Sequence, residues 1–193
     1  MRSTLVFALV VLAFVGGCAT REELIAKSAA VPQGIDISGQ WRLRPASRDT
    51  VRRIDDAELK AAGGAEGIQL PDRTPQQSRR RSSDGSLVHV FLETGSALKI
   101  TQTDAGLFIS FDRAIVEEYR FGEKRRISVG EIEADRVSGW DNNAYIIETL
   151  DMDGAKLIET YRLVDDGQGL RRTIIVLDGN ERQLDVTQSF DRG

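Results

Sequence analysis

Aspartate–glycine pairs and related turn signals recur through the C-terminal part of the chain, and this pattern constrains the fold more than any other feature. The signals are Asp104-Ala105-Gly106, Gly122-Glu123, Asp153-Gly154, Asp166-Gly167 and Asp178-Gly179-Asn180. Such residues adopt the positive φ angles that tight hairpins need. All 4 prolines lie before residue 76, so none interrupts this region. Short connections make neighbouring strands antiparallel, and the pattern therefore predicts an all-β antiparallel meander.

Stretches rich in β-branched and aromatic residues lie between the turn signals, and we count about ten predicted strands, with eight as the lower bound. They are 37–44, 98–103, 107–111, 115–121, 125–132, 134–140, 143–151, 155–164, 169–177 and 181–190. The sequence predicts that these strands close into a barrel or stack as a sandwich.

A long polar insertion, residues 45–85, separates the first strand from the others. We predict a mobile surface excursion with a weak helix over Thr50–Ala62 and a short helix within 84–93. The basic run Arg79-Arg80-Arg81 is expected to be solvated, or alternatively to contact anionic headgroups. Residues 21–30 are compatible with a helix that ends at Pro32.

The first 17 residues predict an export signal. Arg2 is followed by an unbroken apolar run from Leu5 to Val15. An eleven-residue helix rises only ~16 Å, which is too short to cross a hydrocarbon core of ~30 Å and is typical of a signal peptide. Val15-Gly16-Gly17-Cys18 then resembles the lipobox of bacterial lipoproteins, whose cysteine is acylated. An ordinary secretory leader with an incidental cysteine is the alternative.

The lipobox resemblance implies that residues 1–17 are removed and that Cys18 carries the lipid anchor, with palmitate among its acyl chains. Multiple acyl chains hold a protein stably on a membrane. Ala19 replaces the aspartate that often retains such proteins at the inner membrane, so the resemblance implies an outer-membrane lipoprotein facing the periplasm of a Gram-negative cell. Residues 18–36 would be the lipidated tether, and 37–193 a single β domain.

Gly39-Gln40-Trp41 lies in the first predicted strand of that domain. A Gly-x-Trp at the start of a β-meander resembles the first motif of lipocalin-like barrels, in which the tryptophan closes one end. Residues 98–176 also resemble uncharacterised outer-membrane lipoproteins of Gram-negative bacteria. These resemblances imply a lipocalin-like barrel, and we take Trp41 either as a core residue or as part of a ligand site.

The strand registers that the hairpin turns predict yield a candidate polar site. A two-residue turn at Asp153-Gly154 places Glu148 opposite Glu159. The next hairpin places Tyr161 opposite Arg172, and a three-residue turn at Asp178-Gly179-Asn180 then places Arg172 opposite Val186. Because side chains alternate along a strand, this register puts the apolar residues on one face.

Four polar residues share that apolar face in the predicted register: Glu148, Glu159, Tyr161 and Arg172. An unpaired buried charge costs several kcal/mol, so the arginine must neutralise a carboxylate if the cluster is buried. The cluster is either an internal network or the polar floor of a ligand cavity, and the sequence leaves both open.

The composition excludes several kinds of site. One histidine, His89, and one cysteine rule out sites built from clusters of either residue. Phosphate-binding and nucleophile-elbow motifs are missing, and a net charge of −4 does not favour nucleic acid. We therefore predict no metal, no cofactor and no nucleic acid, and an enzyme is the third and least favoured class of function, left open by the sequence. The expected function is non-catalytic binding of an amphiphilic envelope ligand; the alternative is a scaffold that docks to an outer-membrane protein complex.

Overall fold

The computed structural model describes residues 22–66 and 87–193. The leader, Cys18 and the Arg79-Arg80-Arg81 run lie outside the described residues. In the described part, ten antiparallel strands form one sheet. Their bounds are β1 Gly39–Leu43, β2 Ala97–Gln102, β3 Gly106–Phe111, β4 Ile115–Arg120, β5 Glu123–Val129, β6 Ile132–Asp141, β7 Ala144–Asp151, β8 Ala155–Val164, β9 Gly169–Asp178 and β10 Glu181–Arg192. The predicted all-β meander is thus confirmed.

The sheet curls into a nearly closed barrel because its two edge strands are consecutive in the chain. The strand order is β4-β3-β2-β1-β10-β9-β8-β7-β6-β5, so β4 and β5 lie at opposite edges. Only Phe121 and Gly122 separate them, which brings both edges together. Across the seam, the Arg125 guanidinium on β5 donates to the Glu118 carbonyl on β4 (2.8 Å), and the Ser138 hydroxyl on β6 donates to the Arg120 carbonyl at the end of β4 (2.8 Å). The nearly closed barrel is the first of the two architectures, lipocalin-like barrel or sandwich, that the sequence left open.

Helices cover one mouth of the barrel, which we call the helix mouth. Helix α1, Arg48–Glu66, begins after Ser47, whose hydroxyl accepts the Thr50 N–H (3.1 Å) as a helix cap. The 3₁₀ helix Leu87–Phe91 packs beside it. Ala57 and Val88 join the apolar cluster at this mouth. The predicted insertion therefore contains a longer helix than expected, and that helix packs against the barrel.

The segment from residue 28 to residue 38, which we call the strap, crosses the opposite mouth. Ser28 pairs with Trp140 at the end of β6, and the Gln102 side chain on β2 bonds the backbone of Ile35 and Ile37 (3.1 Å each). Ile37 is completely buried. The helix considered for residues 21–30 is wrong where the structure describes them, since residues 22–30 contain no helix. Contact with the barrel replaces it.

The inward-facing side chains form two apolar clusters, one under each mouth. The strap-mouth cluster is rich in aromatic residues and includes Trp41, Phe111, Trp140, Tyr145 and Phe190. The helix-mouth cluster is aliphatic and includes Leu157, Ile174, Val176 and Leu184. Several of the large aromatic side chains are less than 2 % exposed, so no water-sized void borders them. Much of the interior is therefore filled by the protein itself.

Two of the three predicted registers are wrong. The β7–β8 pairing sets Ile147 against Glu159 and Glu148 against Ile158, one residue away from the prediction. The loop is three residues long because the Asp151 carboxylate accepts the N–H groups of Asp153 (3.0 Å) and Ala155 (2.9 Å). A three-residue hairpin loop ends in a left-handed residue, and Gly154 supplies it with φ +95°.

The β9–β10 hairpin differs from the prediction by two residues, which keeps every side chain on its predicted face. Arg172 lies opposite Gln188, whereas Val186 was expected. The loop has two residues, Gly179-Asn180, and not the predicted three, which shifts the register by one residue, and a bulge between Arg182 and Leu184 shifts it by one more. The β8–β9 register is confirmed, with Tyr161 opposite Arg172.

Candidate functional site

A buried polar layer crosses the middle of the barrel between the two apolar clusters. Its members face inward from six strands: Glu117 on β4, Arg136 on β6, Thr149 on β7, Glu159 on β8, and Arg172 and Gln188 on β9 and β10. For the five residues on β6 to β10, the alternation of side chains brings them to one level, because each pairs with or lies diagonal to the next across the strands. Glu117 joins them through its side-chain contact with Arg136.

Arg172 is the centre of this layer and is completely buried. Its Nε donates to Glu159 Oε2 (3.0 Å), and one terminal nitrogen also contacts that oxygen. The guanidinium further donates to the Gln188 side chain (3.3 Å) and to the Glu93 carbonyl (2.7 Å). The Tyr161 hydroxyl donates to Glu159 Oε2 (3.0 Å). Each guanidinium nitrogen therefore has an acceptor, as a buried cation requires.

Arg172 also reaches across the interior. Its guanidinium carbon lies 5.1 Å from the ring centre of Phe111, on the opposite wall, and 5.5 Å from that of Tyr161. Burial alone would lower the pKa of Arg172, but Tyr161 and Glu159 raise it above the ordinary value. The guanidinium is therefore permanently charged and bound within the fold.

A second buried arginine, Arg136, lies near the seam between β4 and β5. It donates to the Thr149 hydroxyl (3.0 Å) and to Glu117 (3.2 Å), and its guanidinium lies 5.5 Å from the ring centre of Tyr119. Desolvation by burial raises the pKa of Tyr119 above its usual range, so that phenol stays neutral. The Arg136–Glu117 pair ties β6 to β4 where no backbone ladder joins the edges.

Glu93 follows the 3₁₀ helix and lies against the polar layer. Desolvation by burial raises the pKa of its carboxyl, and the nearby Glu117 and Glu159 raise it further. The layer therefore has no surplus positive charge to offer an anionic ligand, because three carboxyl groups face two guanidinium groups.

The predicted site residues divide into two groups. Glu159, Tyr161 and Arg172 contact one another as the pairing on paper indicated. The prediction that Glu148 faces inward is wrong. The one-residue register shift turns it to the outer face, where it forms an ion pair with Lys27 (2.7 Å). Trp41 lies in the strap-mouth cluster away from the polar layer, its indole N–H bonded to the Ile37 carbonyl (3.1 Å) and its ring stacked by Arg192 at 4.3 Å.

Arg136 and Gln188 were not predicted from the sequence, and Glu117 was considered for this face but left unassigned. The signal that could have found Arg136 is the alternation Ala134, Arg136, Ser138, in which one large cation replaces small inward residues. Glu117 could not be assigned in the same way, since its contact crosses the seam.

An outer groove of about 560 Å³ lies on the barrel wall formed by β1 to β4. Its outward-facing lining includes apolar residues and cations: Gln40, Arg42, Ala97, Lys99, Thr101, Phe108, Ser110, Arg113 and Val116. Phe108 is 40 % exposed and Val116 is 63 % exposed. Among the described residues, none of the three cations, Arg42, Lys99 and Arg113, has an ion-pair partner.

A second, smaller cavity of about 100 Å³ lies between α1 and β10, lined by Arg53, Asp56, Lys60 and His89 among others. His89 is buried in the 3₁₀ helix. Within the described ranges, no group of three or more His, Cys, Asp or Glu side chains is arranged to hold a metal ion. None of the helices in the described part is long and apolar enough to cross a membrane.

No family model matches the chain, and no curated protein matches it. Among solved structures, it is similar to the REP1-NXSQ fatty acid transporter at 13 % identity, covering 82 % of this chain and 96 % of that one, with a TM-score of 0.47. Human cRBP IV has 15 % identity, coverages of 82 % and 99 %, and a TM-score of 0.46. A luciferase domain from the dinoflagellate Lingulodinium polyedrum has 12 % identity, coverages of 87 % and 45 %, and a TM-score of 0.49. These are distant likenesses of overall shape.

Proposed function

We propose that this chain is a lipid-anchored protein of the bacterial outer membrane whose barrel binds an anionic amphiphile without catalysis. The anchor is assigned to Cys18, on the strength of the leader and the Val15-Gly16-Gly17-Cys18 motif. The binding site is assigned to the outer groove rather than to the interior, which the protein's own side chains largely fill.

The interior is a poor site for such a ligand. Both mouths are covered, and the large inward side chains border no water-sized void. An acidic ligand would also have to displace Glu159 from Arg172 inside the barrel. Removing one partner from a buried ion pair costs roughly 3–5 kcal/mol, which the ligand would have to recover.

The single observation that carries the assignment is the pairing of exposed apolar surface with unpaired cations in one groove. Phe108 and Val116 offer apolar contact for a hydrocarbon chain, and Arg42, Lys99 and Arg113 offer charge for an anionic head. Its volume of about 560 Å³ falls within the range of roughly 300–1,000 Å³ typical of small-molecule sites. Unpaired cations are notable in a chain whose net charge is −4.

A titration with a fluorescent anionic amphiphile, 11-(dansylamino)undecanoic acid, tests the ligand site. The Cys18→Ala chain is used so that no acyl chain competes. The variant Arg42→Gln/Lys99→Gln should weaken binding at least several-fold. The matched control Arg162→Gln/Arg171→Gln removes two exposed, unpaired cations from the opposite wall, where Arg162 and Arg171 lie side by side, and should bind as the parent does. Equal affinity of the groove variant and the parent would overturn the groove assignment.

Metabolic labelling with palmitate tests the anchor. Wild-type chain should incorporate the label and sediment with membranes, the Cys18→Ala variant should do neither, and the neighbouring Thr20→Ala variant should behave as wild type. Normal processing and membrane sedimentation of Cys18→Ala would overturn the lipoprotein assignment. A barrel that binds no amphiphile but captures an outer-membrane protein through the groove would favour the scaffold alternative.

A further inference from the structure

The N-terminal segment leaves the barrel at the helix mouth. Leu24 is buried against Val137 and Leu150 on the outer face of β6 and β7. Glu22 forms an ion pair with Lys156, just after the hairpin that joins β7 to β8. The chain therefore runs along the outside of the barrel from this hairpin down to Ser28 at the strap mouth.

The path of this segment limits where a lipid on Cys18 can be. Four residue steps separate Cys18 from Glu22, and an extended chain spans at most ~3.6 Å per residue, so the anchor lies within about 14 Å of the helix mouth. A ten-residue strand such as β8 is about 33 Å long. The strap mouth is therefore the end farther from the anchor. This step rests on the lipidation proposed above.

Exposed apolar residues are concentrated at the helix mouth. Met152 is 48 % exposed in the hairpin beside Lys156, and Val129 is 39 % exposed at the end of β5, next to it around the barrel. Ile115 and Val116 are 41 % and 63 % exposed where β4 begins, and Leu59 on α1 is 71 % exposed. Four separate elements thus present apolar side chains to solvent at one end.

The strap mouth has the opposite composition. Its turns are 103–105, 121–122, 142–143 and 165–167, with sequences Thr-Asp-Ala, Phe-Gly, Asn-Asn and Asp-Asp-Gly, and the Phe121 side chain is partly buried against Trp140 and Tyr145. Among the described residues, none of the large exposed hydrophobic side chains lies in these turns. The two ends therefore differ in the surface that they offer, and the apolar end is the one held near the anchor.

We infer that the helix mouth rests on the lipid surface, with Met152, Val129, Ile115 and Val116 in contact with the membrane interface. Scattered exposed apolar residues need no explanation, but a group at one end marks an interaction surface. The short tether favours a lipid surface as the partner of this apolar end, because it holds this end within reach of the bilayer. The outer groove on β1 to β4 then opens beside the membrane.

Amide hydrogen exchange read by mass spectrometry tests this orientation. The acylated full chain in vesicles of phosphatidylethanolamine and phosphatidylglycerol is compared with the Cys18→Ala chain in solution. We expect slower exchange in the vesicle sample at residues 112–116, 129–132 and 152–154, and unchanged exchange at 103–105, 142–143 and 165–168. Equal protection at both mouths, or none at the helix mouth, would overturn the inference.

A pair of double variants refines the test. Val129→Asp/Met152→Asp should lose the protection at the helix mouth while the chain still floats with the vesicles. Asn142→Asp/Asn143→Asp makes the same change in charge at the strap mouth and should leave the protection intact. Retained protection in the first double variant, or capture of a protein at this end in place of lipid contact, would count against a lipid surface.

The mass of the Cys18 peptide separates this inference from the anchor proposal. If Cys18 is unacylated, the anchor proposal fails, and its free thiol is instead coupled to maleimide-bearing phosphatidylethanolamine in the vesicles. The lipid is then attached at the same position, and the same pattern of protection is expected.

Discussion

Arg172 is a buried charge, and its neighbours must supply hydrogen-bond acceptors for it. A guanidinium with no exposed surface is accommodated because a carboxylate, a side-chain amide and a backbone carbonyl accept its hydrogen bonds and two rings stack against it. The predicted β8–β9 register already placed Glu159 and Tyr161 next to Arg172, since a local hairpin fixes that register. The prediction missed the other contacts of Arg172. Gln188 comes opposite Arg172 only with a bulge in β10, Glu93 follows the 3₁₀ helix, and Phe111 lies on the opposite wall of the barrel.

Replacing Arg172 with alanine should destabilise the protein strongly, because Glu159 would stay buried without its cation. We expect Arg172→Ala to lower the free energy of unfolding by roughly 3–5 kcal/mol. Arg171→Ala, on the exposed face of the same strand, should change it by no more than about 0.5 kcal/mol. Urea denaturation at neutral pH measures both. Equal, small effects would contradict the burial of the ion pair.

Glu93 should make stability depend on pH. Its pKa is raised in the folded state by desolvation, Glu117 and Glu159, so the folded protein holds this proton more tightly than the unfolded chain. The contribution is fully present below the unfolded pKa of about 4.3 and is lost as pH rises through the raised pKa. We expect Glu93→Gln to reduce this loss.

The measurement is the difference in unfolding free energy between Glu93→Gln and wild type at a series of pH values from 4 to 8. That difference should grow in favour of the variant as pH rises. The exposed Glu181→Gln variant serves as the control and should show no such trend. A difference that is constant with pH would argue that Glu93 is no more buried than an ordinary surface carboxyl.

At the scale of elements, the sequence predicted the strands better than their pairing. Turn residues and hydrophobic alternation mark where strands begin and end, and all ten were found. Register depends on loop length, which Asp153-Gly154 alone does not specify: Met152 joins the loop because the Asp151 side chain binds the backbone on the far side. That one residue moved Glu148 to the outer face.

The contact between the strap and β6 can be tested by a glycine substitution. A Cβ at Gly139 would lie 2.5 Å from the Ser28 carbonyl oxygen, closer than real atoms approach. Gly139→Ala should therefore separate Ser28 from Trp140, whose two backbone hydrogen bonds measure 3.1 and 2.8 Å. Amide exchange at these two residues should accelerate.

Gly63→Ala is the control for this substitution, since nothing lies within 4 Å of a Cβ there and the position is helical. It should leave the strap unchanged and stabilise α1 by roughly 0.5–1 kcal/mol. Unchanged exchange at Ser28 and Trp140 in Gly139→Ala would mean that the strap tolerates displacement.

At the scale of the whole molecule, closure of the sheet explains why the protein's own side chains fill much of the interior. The seam between β4 and β5 is held by the Arg136–Glu117 ion pair and by hydrogen bonds from the Arg125 and Ser138 side chains to backbone carbonyls of β4. The two mouths are covered by helices and by the strap. Closure could not be predicted from local signals, because it depends on contacts between strands at opposite edges of the sheet. The proposed ligand site therefore lies in the outer groove and not in the interior.

Native mass spectrometry of the mature protein, extracted from membranes of a Gram-negative host, tests the central claim most directly. We expect an acylated Cys18 and a co-purifying anionic amphiphile that is lost in Arg42→Gln/Lys99→Gln and retained in Arg162→Gln/Arg171→Gln. An amphiphile that stays bound to the groove variant, or a wild-type protein that carries none, would contradict it.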